Sequence, residues 1–209
     1  NPHIGRMLVG REEPEAVRFL QSARAQPDLF ARVCGVTLLY TGLRKGEFLN
    51  LGRDCMVRIG EGYWLRVPLG KMHKDRFVPL HPEVKQFLDE WIAHHCPDGS
   101  SGQPEDLLFT IHGRRIGRGR VDSAGERIAA AAGITSRVTP HRLRHTVATM
   151  AINHGMSLSS IADMLGHNSL SMTRIYARLS NRTLHDEYSS VSQHLEQLCT
   201  SPYDTFSQS

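Results

Sequence analysis

The hydrophobic positions of the first quarter of the chain recur at the spacing of α-helices. Apolar residues repeat every three to four positions over residues 12–26, Pro27 interrupts the pattern, and Asp28 is placed to cap a second helix. Gly42 ends that helix, and the segment LRKGEFLNL begins a short third one. The predicted apolar faces carry Val17 and Leu20 in the first helix, and Leu29, Val33, Val36 and Tyr40 in the second.

Between residues 55 and 80 the pattern changes from helical to extended. The runs MVRI, YWLRVPL and RFVPL are rich in β-branched and aromatic residues, and the turn segments GEG and GKMHK separate them. This arrangement predicts a small antiparallel sheet whose three strands are joined by tight turns.

The second half of the chain returns to helical spacing. It contains five predicted helices, a loop over CPDGSSGQPED and a short strand over LLFTI; the helices cover residues 81–95, 119–133, 139–155, 157–165 and 181–198. The predicted fold class is therefore α+β, mainly α-helical with a small antiparallel three-stranded β-sheet. We expect residues 12–199 to form one domain, preceded by a linker over residues 1–11 and followed by a flexible tail over residues 200–209.

Composition narrows the class of protein. The chain has 209 residues, of which 40% are hydrophobic, and this is enough to bury a core. Its four cysteines lie far apart and form no CxxC pair, which argues against a disulfide framework and favours reduced thiols in the cytoplasm. No apolar run approaches the roughly 18 residues of a membrane span. We expect a cytoplasmic protein that does not act on membranes.

Charge is distributed unevenly along the chain. The formal net charge is only +4, but residues 110–145 hold eight arginines against Asp122 and Glu126. The segment after Asn181 is acidic instead. A central basic zone is typical of a nucleic-acid-binding surface, and a solvated basic face is the competing interpretation.

The helix that begins at Thr139 concentrates part of this charge. Thr139 suits the N-cap position and Pro140 the first helical position. At 100° per residue, apolar side chains fall on one side of the helix and three basic ones, His141, Arg144 and His145, fall on the opposite side. The free N–H groups and the dipole of the helix N-terminus add a preference for phosphate at the same end.

Four short motifs follow in order: TGLRKGEFLNL (41–51), GKMHKDRFVPL (70–80), HRLRH (141–145) and LGHNSLSMTRIY (165–176). Taken singly, each is a weak indication. An arginine after a helix, a lysine in a turn or a tyrosine near a helix end is most often a surface residue. His141 and His145 are spaced as zinc ligands, but no Glu or Cys is spaced to complete a site, so we expect no metal.

Together, the motifs resemble those of the tyrosine recombinases, the phage integrase family, in their catalytic domain. The resemblance covers residues 12–189, with T-G-L-R-x-x-E, G-K-x-x-K-x-R-x-V-P-L and H-x-x-R-H followed by L-G-H and, nine residues later, Tyr. It implies the tyrosine recombinase catalytic fold. It also implies that the linker over residues 1–11 follows a separate helical core-binding domain.

The resemblance assigns roles residue by residue. It implies six catalytic residues, with Tyr176 as the nucleophile: Arg44, Lys71, His141, Arg144, His167 and Tyr176. Glu47 and His145 match supporting positions, and Lys74 is a second candidate for the role of Lys71. Five arginines of the basic zone are the predicted DNA contacts: Arg114, Arg115, Arg118, Arg120 and Arg142. No cofactor or metal is implied.

The implied activity is site-specific breaking and rejoining of DNA through a 3′-phosphotyrosine, without metal or ATP. The implied partner is double-stranded DNA, on which the family assembles as a homotetramer that exchanges C-terminal helices. An isolated domain is expected to be monomeric. Two alternatives stay open at this point: relaxation of DNA by type IB topoisomerase-like chemistry, and DNA binding by a regulator that does not cleave. The implied setting is the cytoplasm of a prokaryotic cell, with a phage or mobile element as one source.

Overall fold

The computed structural model describes residues 12–68, 75–95 and 107–166. In chain order the described elements are α1 (Glu12–Arg24), α2 (Leu29–Thr41), α3 (Lys45–Leu49), β1 (Met56–Ile59), β2 (Gly62–Val67), β3 (Arg76–Pro79), α4 (Pro82–His95), β4 (Thr110–Ile111), β5 (Arg114–Arg115), α5 (Arg118–Ala131), α6 (Pro140–Asn153) and α7 (Leu158–Leu165). The described part is mainly helical with a three-stranded antiparallel sheet, as predicted. The predicted linker, tail and helix over 181–198 lie outside the described residues.

Helix α2 forms the centre of the core. It is apolar on nearly every side and packs against α1, α4, α5 and α6. Both of its predicted ends are confirmed: Asp28 accepts a hydrogen bond from the Phe30 N–H (3.2 Å), and Gly42 adopts the left-handed conformation (φ of 62°). The ring of Phe30 meets those of Phe48, Trp91 and Phe109 edge to face.

Helix α1 presents a different face from the predicted one. Val17 is 53% exposed, so its predicted place on the buried side is wrong. Ala16, Phe19 and Ala23 are buried instead. The alanines at positions 16 and 23 are small and let α1 pack closely against the core. The buried face of α1 therefore cannot be recognised from its large apolar residues alone.

The three-stranded sheet has the order β1-β2-β3, and its register pairs Leu65 with Val78 and Val67 with Arg76. Alternation along β3 therefore places Arg76 on the inner face with Val78, and both are buried. Within LLFTI only Thr110–Ile111 is a strand, and it pairs with β5, which the sequence did not predict. His112 and Gly113 link them with positive φ (49° and 72°), as a tight hairpin turn requires.

Helices α6 and α7 begin and end where predicted. The Thr139 hydroxyl accepts from the Arg142 N–H, the Ser157 hydroxyl accepts from the Ser160 N–H, and Gly166 ends α7 in the left-handed conformation. The exposed side of α6 is narrower than expected: His141 is exposed, whereas Arg144 is only 3% exposed. Helix α6 thus buries a charge, and that charge needs partners within the protein.

An ion pair inside the protein ties α3, β3 and α7 together. Arg76 Nη1 donates to Glu47 Oε1 (2.7 Å) and Arg76 Nη2 to Glu47 Oε2 (2.9 Å), while Arg76 Nε donates to the Met164 carbonyl (3.2 Å). Burial alone would raise the pKa of Glu47, but hydrogen bonds from Arg76 and Arg44 lower it to about 2. A Cβ at Gly166 would lie 2.7 Å from Arg76 Nη1, so this position needs glycine for space as well as for its φ.

Two of the cysteines are among the described residues. Cys34 and Cys55 are free and buried, and burial raises the pKa of both thiols. In the part of the chain that the structure describes, every helix is too short or too polar to cross a membrane.

We predict that Gly35→Ala destabilises the protein. The added Cβ would lie 2.6 Å from Ile128 Cδ1 and 2.9 Å from Ala23 Cβ, so α1 and α5 would have to move away from α2. The cost of overpacking is about 1–3 kcal/mol, which outweighs the better helix propensity of alanine. Chemical denaturation measures the change. The control is Gly125→Ala in α5, where the nearest atom is 3.6 Å away and propensity alone should raise stability. Equal effects of the two changes would contradict the packing.

We predict that Glu47→Gln costs about 3 kcal/mol at pH 7, because it leaves the buried Arg76 without its carboxylate. The folded pKa of Glu47 lies below its ordinary value of 4.5, so its stabilisation is complete above pH 4.5 and is lost as the pH falls toward 2. The difference between wild type and variant should narrow over that range. The control is Asp89→Asn, which breaks an exposed pair with Lys85 within α4 and should cost under about 1 kcal/mol. A pH-independent difference would rule out the ion pair as its source.

Candidate active site

A cleft of about 520 Å³ opens where α3, the start of α5 and the start of α6 meet. Ten described residues line it: Arg44, Lys45, Gly46, Arg118, Asp122, Arg137, Thr139, Pro140, His141 and Arg144. Five of these are arginine or lysine and one is a carboxylate, so the cleft favours an anion. Three sequence-predicted catalytic residues, Arg44, His141 and Arg144, lie in it together.

Arg44 is held by the start of its own helix. It is the N-cap of α3, and its backbone N–H donates to Glu47 Oε2 (2.7 Å), as in a capping box. Its side-chain Nη1 donates to Glu47 Oε1 (2.9 Å), while half of the side chain stays exposed. The guanidinium is therefore anchored at one point and accessible at the cleft.

Glu47 gathers three guanidiniums around one carboxylate. Arg76 binds both of its oxygens from behind, Arg44 binds from the cleft, and Arg144 Nη1 lies 3.9 Å from Oε2. One negative charge faces three positive charges, which leaves a formal excess of two beside the cleft. The carboxylate of Glu47 thus keeps the two cleft arginines, Arg44 and Arg144, near each other.

Arg144 is fixed by the ends of two helices. Its Nη1 donates to the Gly42 carbonyl (2.8 Å) and its Nη2 to the Leu165 carbonyl. These carbonyls belong to the C-terminal ends of α2 and α7, where helix dipoles favour a cation. The plane of the guanidinium is therefore set by α2 and α7 as well as by α6.

The two histidines of HRLRH lie in different surroundings. His141 is exposed in the first turn of α6 and lines the cleft, one turn before Arg144. His145 is half-buried, with Nδ1 at 3.5 Å from the Thr149 hydroxyl, and it is not among the cleft residues. Of the two histidines, His141 is therefore the one at the cleft.

Some of the predicted DNA-contacting arginines bind other residues of the protein, and others have exposed side chains without an acidic partner. Arg142 donates to Glu15 (2.5 Å) and to Ser136, which ties α6 to α1, and Arg120 lies over the Phe30 ring with Asp28 at 3.8 Å. Arg115 donates to Asn50. Arg114 and Arg118 are exposed and have no ion pair among the described residues.

Four predicted site residues lie outside the described residues: Lys71, Lys74, His167 and Tyr176. The described ranges contain no cluster of three or more His, Cys, Asp or Glu side chains that could hold a metal ion.

Two further arginines, with no predicted role, lie at or beside the cleft. Arg76 occurs in the quoted motif, and alternation with the buried Val78 could have indicated its inward position. Arg137, counted only as part of the basic zone, lines the cleft. A third feature, Lys45 Nζ bound to both oxygens of Asp122 at 2.6 Å, joins α3 to α5 across the same cleft.

Several tyrosine recombinases have similar sequences. Tyrosine recombinase XerC of Lactobacillus leichmannii is 36% identical over 156 residues, which cover 73% of this chain and 52% of that protein. Tyrosine recombinase XerC of Staphylococcus aureus is 32% identical over 178 residues, covering 85% of this chain and 58% of that protein. The chain thus spans about half the length of the curated relatives it matches.

Two solved structures have a similar fold. The structure of XerA recombinase matches with a TM-score of 0.67 at 31% identity, over 85% of this chain and 63% of that one. The post-cleavage complex of XerH site-specific recombinase bound to palindromic difH substrate matches with a TM-score of 0.70 at 26% identity, over 84% of this chain and 51% of that one. The model of the phage integrase family matches residues 12–182, most of the 209-residue chain, and the chain therefore belongs to the phage integrase family.

Proposed function

We propose that this chain carries the catalytic chemistry of a site-specific DNA recombinase, which breaks and rejoins DNA strands through a 3′-phosphotyrosine intermediate. The observation that carries the proposal is the pairing of Arg44 and Arg144 about Glu47 in one basic cleft, with His141 beside them. The relatives' names support the same activity, since they are recombinases and one structure is a post-cleavage complex with DNA.

Two fixed guanidiniums suit attack on a phosphodiester. The transition state concentrates negative charge on the non-bridging oxygens, and arginine offers planar, bidentate donors that match them. Arg44 and Arg144 are held in place by Glu47 and by helix carbonyls before any substrate arrives. Such preorganised charge supplies the stabilisation that metal ions supply in other phosphoryl-transfer enzymes.

The nucleophile of the proposal is Tyr176. Its hydroxyl oxygen attacks phosphorus, the bond from phosphorus to the 5′-oxygen breaks, and the strand stays linked to the protein. A phenol ionises only near pH 10, so the attack needs a base, and imidazole can accept a proton near neutral pH. We assign that task to His141, donation of a proton to the departing 5′-oxygen to Lys71 or Lys74, and phosphate binding or seating of Tyr176 to His167.

The proposal includes double-stranded DNA as the partner and a homotetramer on DNA, with C-terminal helices exchanged between protomers, as the working assembly. The covalent intermediate conserves the energy of the phosphodiester, so rejoining to a different 5′-hydroxyl needs no ATP. Such an enzyme acts where its DNA is, in the cytoplasm of a prokaryotic cell.

We expect a covalent protein–DNA adduct that requires Tyr176. The protein is incubated with a pool of nicked duplexes of randomised core sequence, in which the nick lets the short 5′ fragment diffuse away and traps the intermediate. Denaturing gels report the adduct, and sequencing of the trapped DNA reports the site. Tyr176→Phe should abolish the adduct because it lacks the attacking oxygen, whereas Tyr63→Phe, a change of an exposed tyrosine on β2, should retain it.

Failure of the wild-type protein to form an adduct under conditions where it binds the DNA would overturn the enzymatic proposal. Relaxation of plasmids that lack any trapped site would instead favour topoisomerase-like activity.

We expect Arg44→Gln to slow adduct formation about 10² to 10³-fold, because one preorganised donor to the transition state is lost. Arg44 is chosen over Arg144 because half of its side chain is exposed, so its loss should leave the fold intact. Single-turnover rates on a trapped sequence measure the effect, and a thermal melt checks folding. The control Arg127→Gln removes an exposed arginine paired with Asp28 and should stay near the wild-type rate. Equal rates for the two variants would contradict the role of Arg44.

A further inference from the structure

The cleft extends beyond the pair formed by Arg44 and Arg144. Its other side carries Arg118, the first residue of α5, and Arg137, in the segment that leads to α6. Both side chains belong to exposed residues. Neither side chain makes a hydrogen bond or an ion pair within the described part of the chain, whereas Arg115 and Arg142 there are engaged.

Several neighbouring basic side chains do have acidic partners. Arg127 and Arg120 share Asp28, and Arg142 has Glu15. Within the cleft itself, Lys45 is neutralised by Asp122, whose two oxygens lie 2.6 Å from its Nζ. The positive charge left open on that side of the cleft therefore comes from Arg118 and Arg137.

Arg118 and Arg137 belong to other segments of the cleft lining than Arg44 and Arg144. Arg44 and Arg144 meet at Glu47, where they can grip one phosphate, whereas Arg118 lies on α5 across Gly46, 3.9 Å from the Cβ position of that glycine. A DNA strand carries a charge at every step of about 3.4 Å along its axis, so a second phosphate always accompanies the first. The start of α5 adds the positive end of a helix dipole beside Arg118.

We propose that Arg118 and Arg137 form a subsite for a second backbone phosphate, next to the one that is cleaved. The inference rests on the proposed function, since it takes DNA as the ligand. Phosphate contacts fix the position of a protein on the duplex without reading its sequence. The subsite thus sets where the strand lies in the cleft, and Asp122 keeps Lys45 from joining it.

The salt dependence of DNA binding tests the subsite. The probe is a 30-base-pair duplex of arbitrary sequence, because backbone contacts do not depend on sequence. All measurements use protein that carries Tyr176→Phe, so that the DNA is not cleaved. We expect Arg118→Gln and Arg137→Gln each to reduce the slope of log Kd against log salt by about 0.9. Arg18→Gln, which removes an exposed arginine of α1 outside the cleft, is the matched control and should leave the slope unchanged. Thermal melts check that every variant is folded.

A second measurement locates the phosphate. Methylphosphonates, which are neutral, replace single phosphates on either side of the cleavage position of a trapped sequence. One replacement should weaken binding by wild-type protein but have little further effect on the Arg118→Gln, Arg137→Gln double variant.

Unchanged slopes, or equal losses with Arg18→Gln, would overturn the subsite, and so would a double variant that keeps the full methylphosphonate effect. Loss of slope without any covalent adduct from the active protein would overturn only the proposed function. Absence of binding to every duplex would overturn both.

Discussion

Glu47 and Arg76 face each other inside the protein, and neither charge could remain there without the other. Removing a carboxylate and a guanidinium from water is costly, and two direct hydrogen bonds between them offset that cost. The pair also leaves the carboxylate with capacity to accept more, which Arg44 uses through its backbone and its side chain. The same carboxylate therefore anchors Arg44 and lies within 4 Å of Arg144.

Buried ion pairs are a weak source of stability, so their value here lies in placement. Hydrophobic side chains of similar volume could fill the same space, but they could not hold Arg44 and bring Arg144 within 4 Å of a shared acceptor. The arrangement keeps two positive charges in excess at a fixed place. Water would have to reorganise to stabilise a developing anion, whereas these groups are already oriented.

Sequence patterns predicted those features that depend on a few neighbouring residues. The caps at Asp28, Gly42 and Thr139 depend on a side chain or a φ angle and the backbone beside it, and all three are confirmed. The engagement of Arg142 could not be predicted in this way, because its partner Glu15 lies 127 positions away. The sequence does not distinguish the arginines of the basic zone from one another. Only long-range packing shows which of them bind other residues of the protein and which have exposed, unpaired side chains. The motifs that include Arg44, His141 and Arg144 predicted a shared site because the resemblance supplied the tertiary context that periodicity lacks.

The hydrogen bonds of Arg144 to the Gly42 and Leu165 carbonyls make the C-terminal ends of α2 and α7 part of the cleft's framework. The glycines at these two helix ends, Gly42 and Gly166, both adopt the left-handed conformation. A Cβ at Gly42 would lie 2.7 Å from Leu165 Cδ2, on the residue whose carbonyl accepts from Arg144. The orientation of a cleft arginine thus depends on positions that have no side chain beyond a hydrogen atom.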